Sequence, residues 1–205
     1  MGPPASFARR GEGAALVPTT VRRREGGARP AARLHFGAVI LLVRIDNRLL
    51  HGQILETWAP RLHIGRVVVA DDEAAASPLA RCAMTLCLPP ELRAAVQPVT
   101  DVDFKDLAAS PVPTLLLLRD VAALARAVER GLTPDLARRI NLGNVHYAPG
   151  RRPVTPSVYL DAGEVQKLQQ LAALGFEVEA RAVPTDPPLG AGALAEKYAA
   201  AGPGR

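Results

Sequence analysis

Residues 44 to 53 read Arg44-Ile-Asp-Asn-Arg-Leu-Leu-His-Gly-Gln53, which gathers two arginines, an aspartate and an asparagine just ahead of one histidine. An imidazole nitrogen near neutral pH is both a nucleophile and a leaving group, so such a histidine can accept a phosphoryl group and release it again. Arg48 offers planar paired donors to phosphate oxygens, and a helix starting near His51 adds unpaired N–H groups and a positive dipole end. Asp46 can bond the ring N–H or hold an arginine, leaving the other nitrogen free to attack. Gly52 permits close approach of a partner's backbone or of the phosphate itself. The same residues also suit a helix cap with a local salt bridge, and on physics alone the two readings stand even. No Gly-x-Gly-x-x-Gly and no Walker lysine occurs, so neither a dinucleotide nor a nucleoside triphosphate site is expected.

To present such a loop, the chain needs a strand ahead of it and a helix behind it. From Ala38 onward, short apolar runs alternate with amphipathic segments, the pattern of a parallel sheet flanked by helices. Strands are predicted at residues 38–43, 66–70, 94–99, 114–118, 139–142 and 177–182. Helices are predicted at 51–62, 74–88, 101–109, 121–131, 162–175 and 192–200. Asp120 is placed to cap one helix, and Gly131 and Gly175 to stop two others. The fold expected is a single doubly wound α/β domain with a mostly parallel sheet and helices on both faces. In such a sheet ligands lie beyond the carboxyl ends of the strands, where residues 44–50 form the first loop. The segments 149–156 and 184–188 read as ordered surface loops.

Composition narrows the function classes. The 205 residues carry a formal charge of +5, but the segment before Gly37 holds seven arginines against Glu12 and Glu25, so the body is formally neutral. With few aromatics to stack on bases, no nucleic-acid partner is expected. Residues 1–36, rich in Gly, Pro, Ala and Arg without apolar periodicity, read as a disordered basic tail or as the product of an upstream misassigned start codon. The domain proper is placed at 37–205. Cys82 and Cys87 would stand about 140° apart on a helix, a poor geometry for a disulfide or a shared metal, and read as buried small hydrophobes in a reducing cytoplasm. No run approaches the ~20 apolar residues of a membrane span.

The remaining candidates have plain structural explanations beside them. His35 lies in the presumed tail and His63 at a helix-to-strand turn. His146 follows the fifth predicted strand at the active edge of the sheet and is a candidate for lining the site. Asp71, Asp72 and Glu73 form a carboxylate cluster that helix capping explains more simply than a magnesium ion, and no metal is expected. Trp58 would lie about 20° from the azimuth of His51 on an α-helix, so a partner contact and core packing are equal readings. Arg151 and Arg152 suit either an acidic partner surface or an exposed loop.

The run from Arg44 to Gln53, with Trp58 behind it, resembles the active-site signature of the IIB subunits of the mannose/fructose/sorbose family of the bacterial phosphotransferase system. The likeness spans about residues 39–198. It continues in order through Val67-Val-Val-Ala-Asp-Asp-Glu73, Asn141-Leu-Gly-Asn144 and Val183-Pro-Thr-Asp-Pro187. The resemblance implies that His51 takes phosphate from a phosphohistidine on a IIA protein and passes it to a sugar arriving through the IIC and IID membrane subunits. It implies no metal and no nucleotide cofactor, and a place in the cytoplasm at the inner face of the membrane. On the same ground Arg48 steadies the phosphoryl group and Asp46 is the acidic neighbour of His51. Arg44, Asn47, Gly52, Gln53, Trp58, Asp72, Asn141 and Gly143 are then expected to contact phosphate or partner. The family often has Asp at the position of Asn47, an exchange that removes one negative charge and is expected to leave transfer intact. A homodimer is a fair expectation. A regulatory module, phosphorylated only as a signal, is the alternative that the sequence leaves open.

Overall fold

Apolar runs without a polar break can be buried on both faces only at the centre of a sheet. In the computed structural model, which describes residues 40–86 and 88–202, they take that place. The strands are β1 (Ile40–Asp46), β2 (Arg66–Ala70), β3 (Arg93–Gln97), β4 (Thr114–Leu118), β5 (Arg139–Asn144), β6 (Arg152–Thr155), β7 (Val158–Leu160), β8 (Glu177–Ala180) and β9 (Leu189–Gly190). Seven form one sheet in the order β3-β2-β4-β1-β5-β8-β9, parallel except for the last pair. Alternate residues feed two cores. Leu42, Val67, Val69, Leu115 and Leu117 face one side, and Val43, Ile45, Val68, Leu116 and Leu118 the other.

Helices cover both faces, as expected. The first core is closed by a π-helical turn (Ile54–Trp58) running into α1 (Ala59–Arg61), by α2 (Asp72–Ala76) and by α3 (Pro78–Thr85). The second is closed by α4 (Phe104–Ala109), α5 (Val121–Glu129), α6 (Ala162–Ala173) and α7 (Ala191–Ala200). Asp120 caps α5 by accepting from the Ala123 N–H at 2.7 Å, and α5 and α6 stop at Gly131 (φ 105°) and Gly175 (φ 102°), conformations in which a Cβ is strained. No helix among the described residues is long and apolar enough to cross a membrane.

Several boundaries differ from expectation for local reasons. The helix expected over 74–88 is two, because the ring of Pro78 drives Ser77 into an extended conformation (φ −99°, ψ 110°), where its hydroxyl caps Ala80. The helix expected over 51–62 opens as a π-turn, with Ala59 N–H bonding Ile54 O just ahead of Pro60, which has no N–H to give. The loop expected over 149–156 contains β6, which pairs with β7 in an antiparallel ribbon, and Pro153 and Pro156 hide the strand pattern. Cys82, expected buried, is exposed, because α3 buries none of its residues; Cys87, the tail 1–36 and His35 lie outside the described residues.

The strand order also locates the site. From β1 the chain leaves toward β2 on one side, and from β5 toward β8 on the other, so the loops beyond these neighbours diverge and open a crevice at their carboxyl ends.

Candidate active site

The first strand does not stop at Val43. It runs to Asp46, so Arg44 and Asp46 are strand residues, both fully buried, rather than members of the loop. A buried guanidinium needs partners for its donors, and Arg44 finds them for both Nη nitrogens, while its buried Nε has none among the described residues. Arg44 Nη1 donates to Asn141 Oδ1 and to the carbonyl of Arg181 (3.3 Å). Its Nη2 donates to Asp46 Oδ2 at 2.9 Å and to the carbonyl of Ala182 at 3.2 Å. Arg44 Cζ lies 4.9 Å from the Trp58 ring centroid, and Trp58 Nε1 donates to the same Ala182 carbonyl at 3.1 Å. Space for the guanidinium exists because residue 143 is glycine: a Cβ there would overlap the guanidinium carbon. Trp58 is 1% exposed and packs in the core, and the π-turn voids the azimuth expected from α geometry.

Asp46 passes this arrangement upward. Its Oδ1 accepts from the backbone N–H of Arg48 at 3.1 Å and from Arg48 Nε at 3.2 Å. Its Oδ2 accepts from Arg48 Nη2 at 3.3 Å and faces His51 Nε2 at 3.3 Å. Burial pushes the Asp46 carboxyl up, but the hydrogen bonds from His51 and Arg48 and the charge of Arg44 outweigh it and hold the group well below the usual carboxylate range. Burial likewise pulls the Arg44 guanidinium down against the opposing charge of Asp46. Leu49, buried and at φ 57°, turns the chain so that His51 comes back over Asp46. With Nε2 on the carboxylate, Nδ1 is the nitrogen left without a partner among the described residues. The His51 side chain is 19% exposed and borders an open cleft of about 340 Å³ shared with Leu50, Gly52, Leu55, Met84 and Pro89. Gly52 is exposed, and a Cβ there would meet only Glu56, at 3.7 Å.

Asn47 ties the neighbouring loops. Its Nδ2 donates to the Arg119 carbonyl beyond β4 (3.2 Å), its Oδ1 accepts from the His146 N–H beyond β5, and its own N–H reaches the Asn144 carbonyl at 3.0 Å. His146 therefore contributes its backbone here, while its side chain is exposed. Asp72 is not brought to His51. It accepts from the Val99 N–H at 2.9 Å and pairs with Arg126 at 3.0 Å. Asp71 caps α2 through Ala74 and holds Arg119 at 2.7 Å, and Glu73 reaches the same arginine at 3.4 Å, so capping and ion pairs occupy the carboxylate cluster. Two contributors were missed in the sequence. Arg119 had a signal, being the first polar residue after the apolar run of β4. The carbonyls of Arg181 and Ala182 had none, since a backbone acceptor carries no residue type.

Comparison with known proteins agrees with this fold. Residues 40–200 match the family model described as the PTS system sorbose subfamily IIB component. The N-acetylgalactosamine-specific phosphotransferase enzyme IIB component 2 of Escherichia coli K12 is 33% identical over 149 residues, 72% of this chain and 93% of that protein. The mannose-specific EIIAB component of the same strain is 31% identical over 153 residues, 74% of this chain; the chain spans about half the length of that relative, 46%. Among solved structures, manxB from Thermoanaerobacter tengcongensis superposes with a TM-score of 0.68 at 27% identity, covering 77% of this chain and 95% of that one. Fold, histidine loop and relatives together define the class, the IIB components of the sugar phosphotransferase system. Within it, the chain belongs to the sorbose subfamily, part of the mannose/fructose/sorbose family that the motif around His51 resembles.

Proposed function

We propose that the chain is a phosphocarrier in sugar uptake, with His51 Nδ1 as the atom that carries the phosphoryl group. The observation that carries this reading is the engagement of Nε2 by the buried Asp46, which orients the ring and leaves Nδ1 without a partner among the described residues. In the first step the Nδ1 lone pair attacks phosphorus on a IIA phosphohistidine. The Nδ1–P bond forms as the donor N–P bond breaks, and that electron pair returns to the donor ring. In the second, a sugar hydroxyl oxygen takes the phosphoryl group, and its proton ends on the released imidazole. Asp46, held ionised by Arg44 and Arg48, stabilises the positive charge that the His51 ring acquires while phosphorylated. Arg48 offsets the charge of the phosphoryl oxygens.

The donor in this reading is a IIA protein, and the acceptor sugar reaches the site through IIC and IID subunits at the inner face of the membrane. Residues 37–205 form the carrier domain. One chain holds every residue the transfer invokes, so a homodimer is not part of the proposal. The test is to incubate the protein with the general phosphotransferase proteins, the E. coli mannose-type IIA domain as donor and labelled phosphoenolpyruvate, beside His51→Ala. Label is expected on the parent alone; equal uptake by the variant would remove His51 from the mechanism.

A further inference from the structure

Arg48 is the exposed cation of the loop, with a side chain 44% open to solvent, and so long a chain keeps its aim only where something holds it. Two residues do. Asp46 takes Nε and Nη2 through long contacts of 3.2 and 3.3 Å, and the shortest side-chain bond that Arg48 makes, 3.0 Å, runs from Nη2 to Gln53 Oε1. Gln53 is itself fixed where the first helical turn begins, its carbonyl accepting from Thr57 Oγ1 at 2.6 Å. With Nε and Nη2 so occupied, Arg48 Nη1 has no acceptor among the described residues, and both its N–H bonds remain for another anion. Arg48 Nη2 and His51 Nε2 also share one oxygen, Asp46 Oδ2, which sets the guanidinium beside the imidazole.

We propose that Gln53 is a positioning residue for phosphoryl transfer: its amide oxygen holds Arg48 beside His51 so that the Nη1 edge meets the phosphoryl group, and Gln53 itself touches neither phosphate nor partner. This rests on the reading of His51 as the phosphorylated residue. An amide suits the task because it accepts one guanidinium N–H without charge. It aims the arginine, leaves it fully cationic and does not repel an arriving dianion. A carboxylate at 53 would hold Arg48 more strongly and oppose the phosphoryl group.

The experiment uses phosphoramidate, a small donor that phosphorylates histidine and releases ammonia, so that protein docking does not enter. Phosphorylation rates are measured for the parent, Gln53→Ala, Arg48→Ala and the double variant, with His51→Ala as control. Gln53→Ala is expected to slow phosphorylation by roughly 3- to 10-fold, the effect of loosening one charge-assisted hydrogen bond on a positioned group. In the Arg48→Ala background the same substitution is expected to change nothing, since its effect passes through the arginine. Multiplying effects in the double variant would overturn the proposal. So would a Gln53→Ala rate equal to the parent's with phosphoramidate but reduced with a protein donor, the signature of a docking residue. Failure of the underlying reading shows separately, as label retained in His51→Ala.

Discussion

Gly143→Ala places a single methyl group against the most confined charge in the molecule. The added Cβ overlaps the Arg44 guanidinium, and that group has no room to withdraw: Asn141, Asp46 and the carbonyls of Arg181 and Ala182 hold its two Nη nitrogens while Trp58 covers its face. Expelling Arg44 leaves the buried Asp46 carboxylate without its nearest cation, and breaking a buried pair in this way costs about 3–5 kcal/mol. A domain is stabilised in total by about 5–15 kcal/mol, so the loss is a large share. With a urea dependence near 2 kcal/mol per molar, the unfolding midpoint should fall by about 2 M. Emission from Trp58, the only tryptophan, follows the transition directly. Gly192→Ala in α7, where a Cβ meets nothing within 4 Å, serves as the control and should gain up to about 1 kcal/mol. A Gly143→Ala midpoint within about 0.3 M of the parent would refute the view that Arg44 is locked by this packing.

The folded-state pKa of Asp46 lies below its ordinary 3.8, so the folded protein binds fewer protons than the unfolded chain in that range; its stabilisation is complete above about that pH and is lost as pH falls further. Asp46→Asn should therefore flatten the acid limb of a plot of urea midpoint against pH, and an equally steep limb would show that other carboxylates carry it. Asn47→Asp removes the donor to the Arg119 carbonyl and sets an anion against it, so a stability loss of about 1–2 kcal/mol is expected at neutral pH, measured in the same unfolding assay. No loss would show that the amide is not what joins the two loops.

Much of this was legible because the signals were local. Uninterrupted runs such as Val67–Ala70 and Thr114–Leu118 have few alternatives to a central strand, and Asp120, Gly131 and Gly175 mark helix ends by their own backbone chemistry. What could not be read depends on tertiary satisfaction. A strand was expected to end before Arg44 because charge is costly to bury, yet Asn141, Gly143 and two carbonyls supplied by the stretch after β8 make that burial tolerable. The break at Ser77 was written in Pro78 and was outweighed by the apolar periodicity on either side. The structure brings together His51, Asp46 and Arg48, which their spacing had grouped. Their contacts depended on the left-handed Leu49, and nothing in a leucine announces a positive φ.

The two faces of the sheet are unequally armoured. The face that carries Arg44, Trp58 and the approach to His51 is closed by a π-turn, a three-residue helix, a five-residue helix and an eight-residue helix that buries none of its side chains; the opposite face carries α4, α5, α6 and α7 of 6, 9, 12 and 10 residues. Elements with so little interior surface open at a free energy well below that of global unfolding. The molecule is thus divided into a stiff back and a compliant front. Amide protons of α2 and α3 are therefore expected to exchange ahead of those in the sheet behind them, while the buried ion pair of Arg44 and Asp46 stays in register.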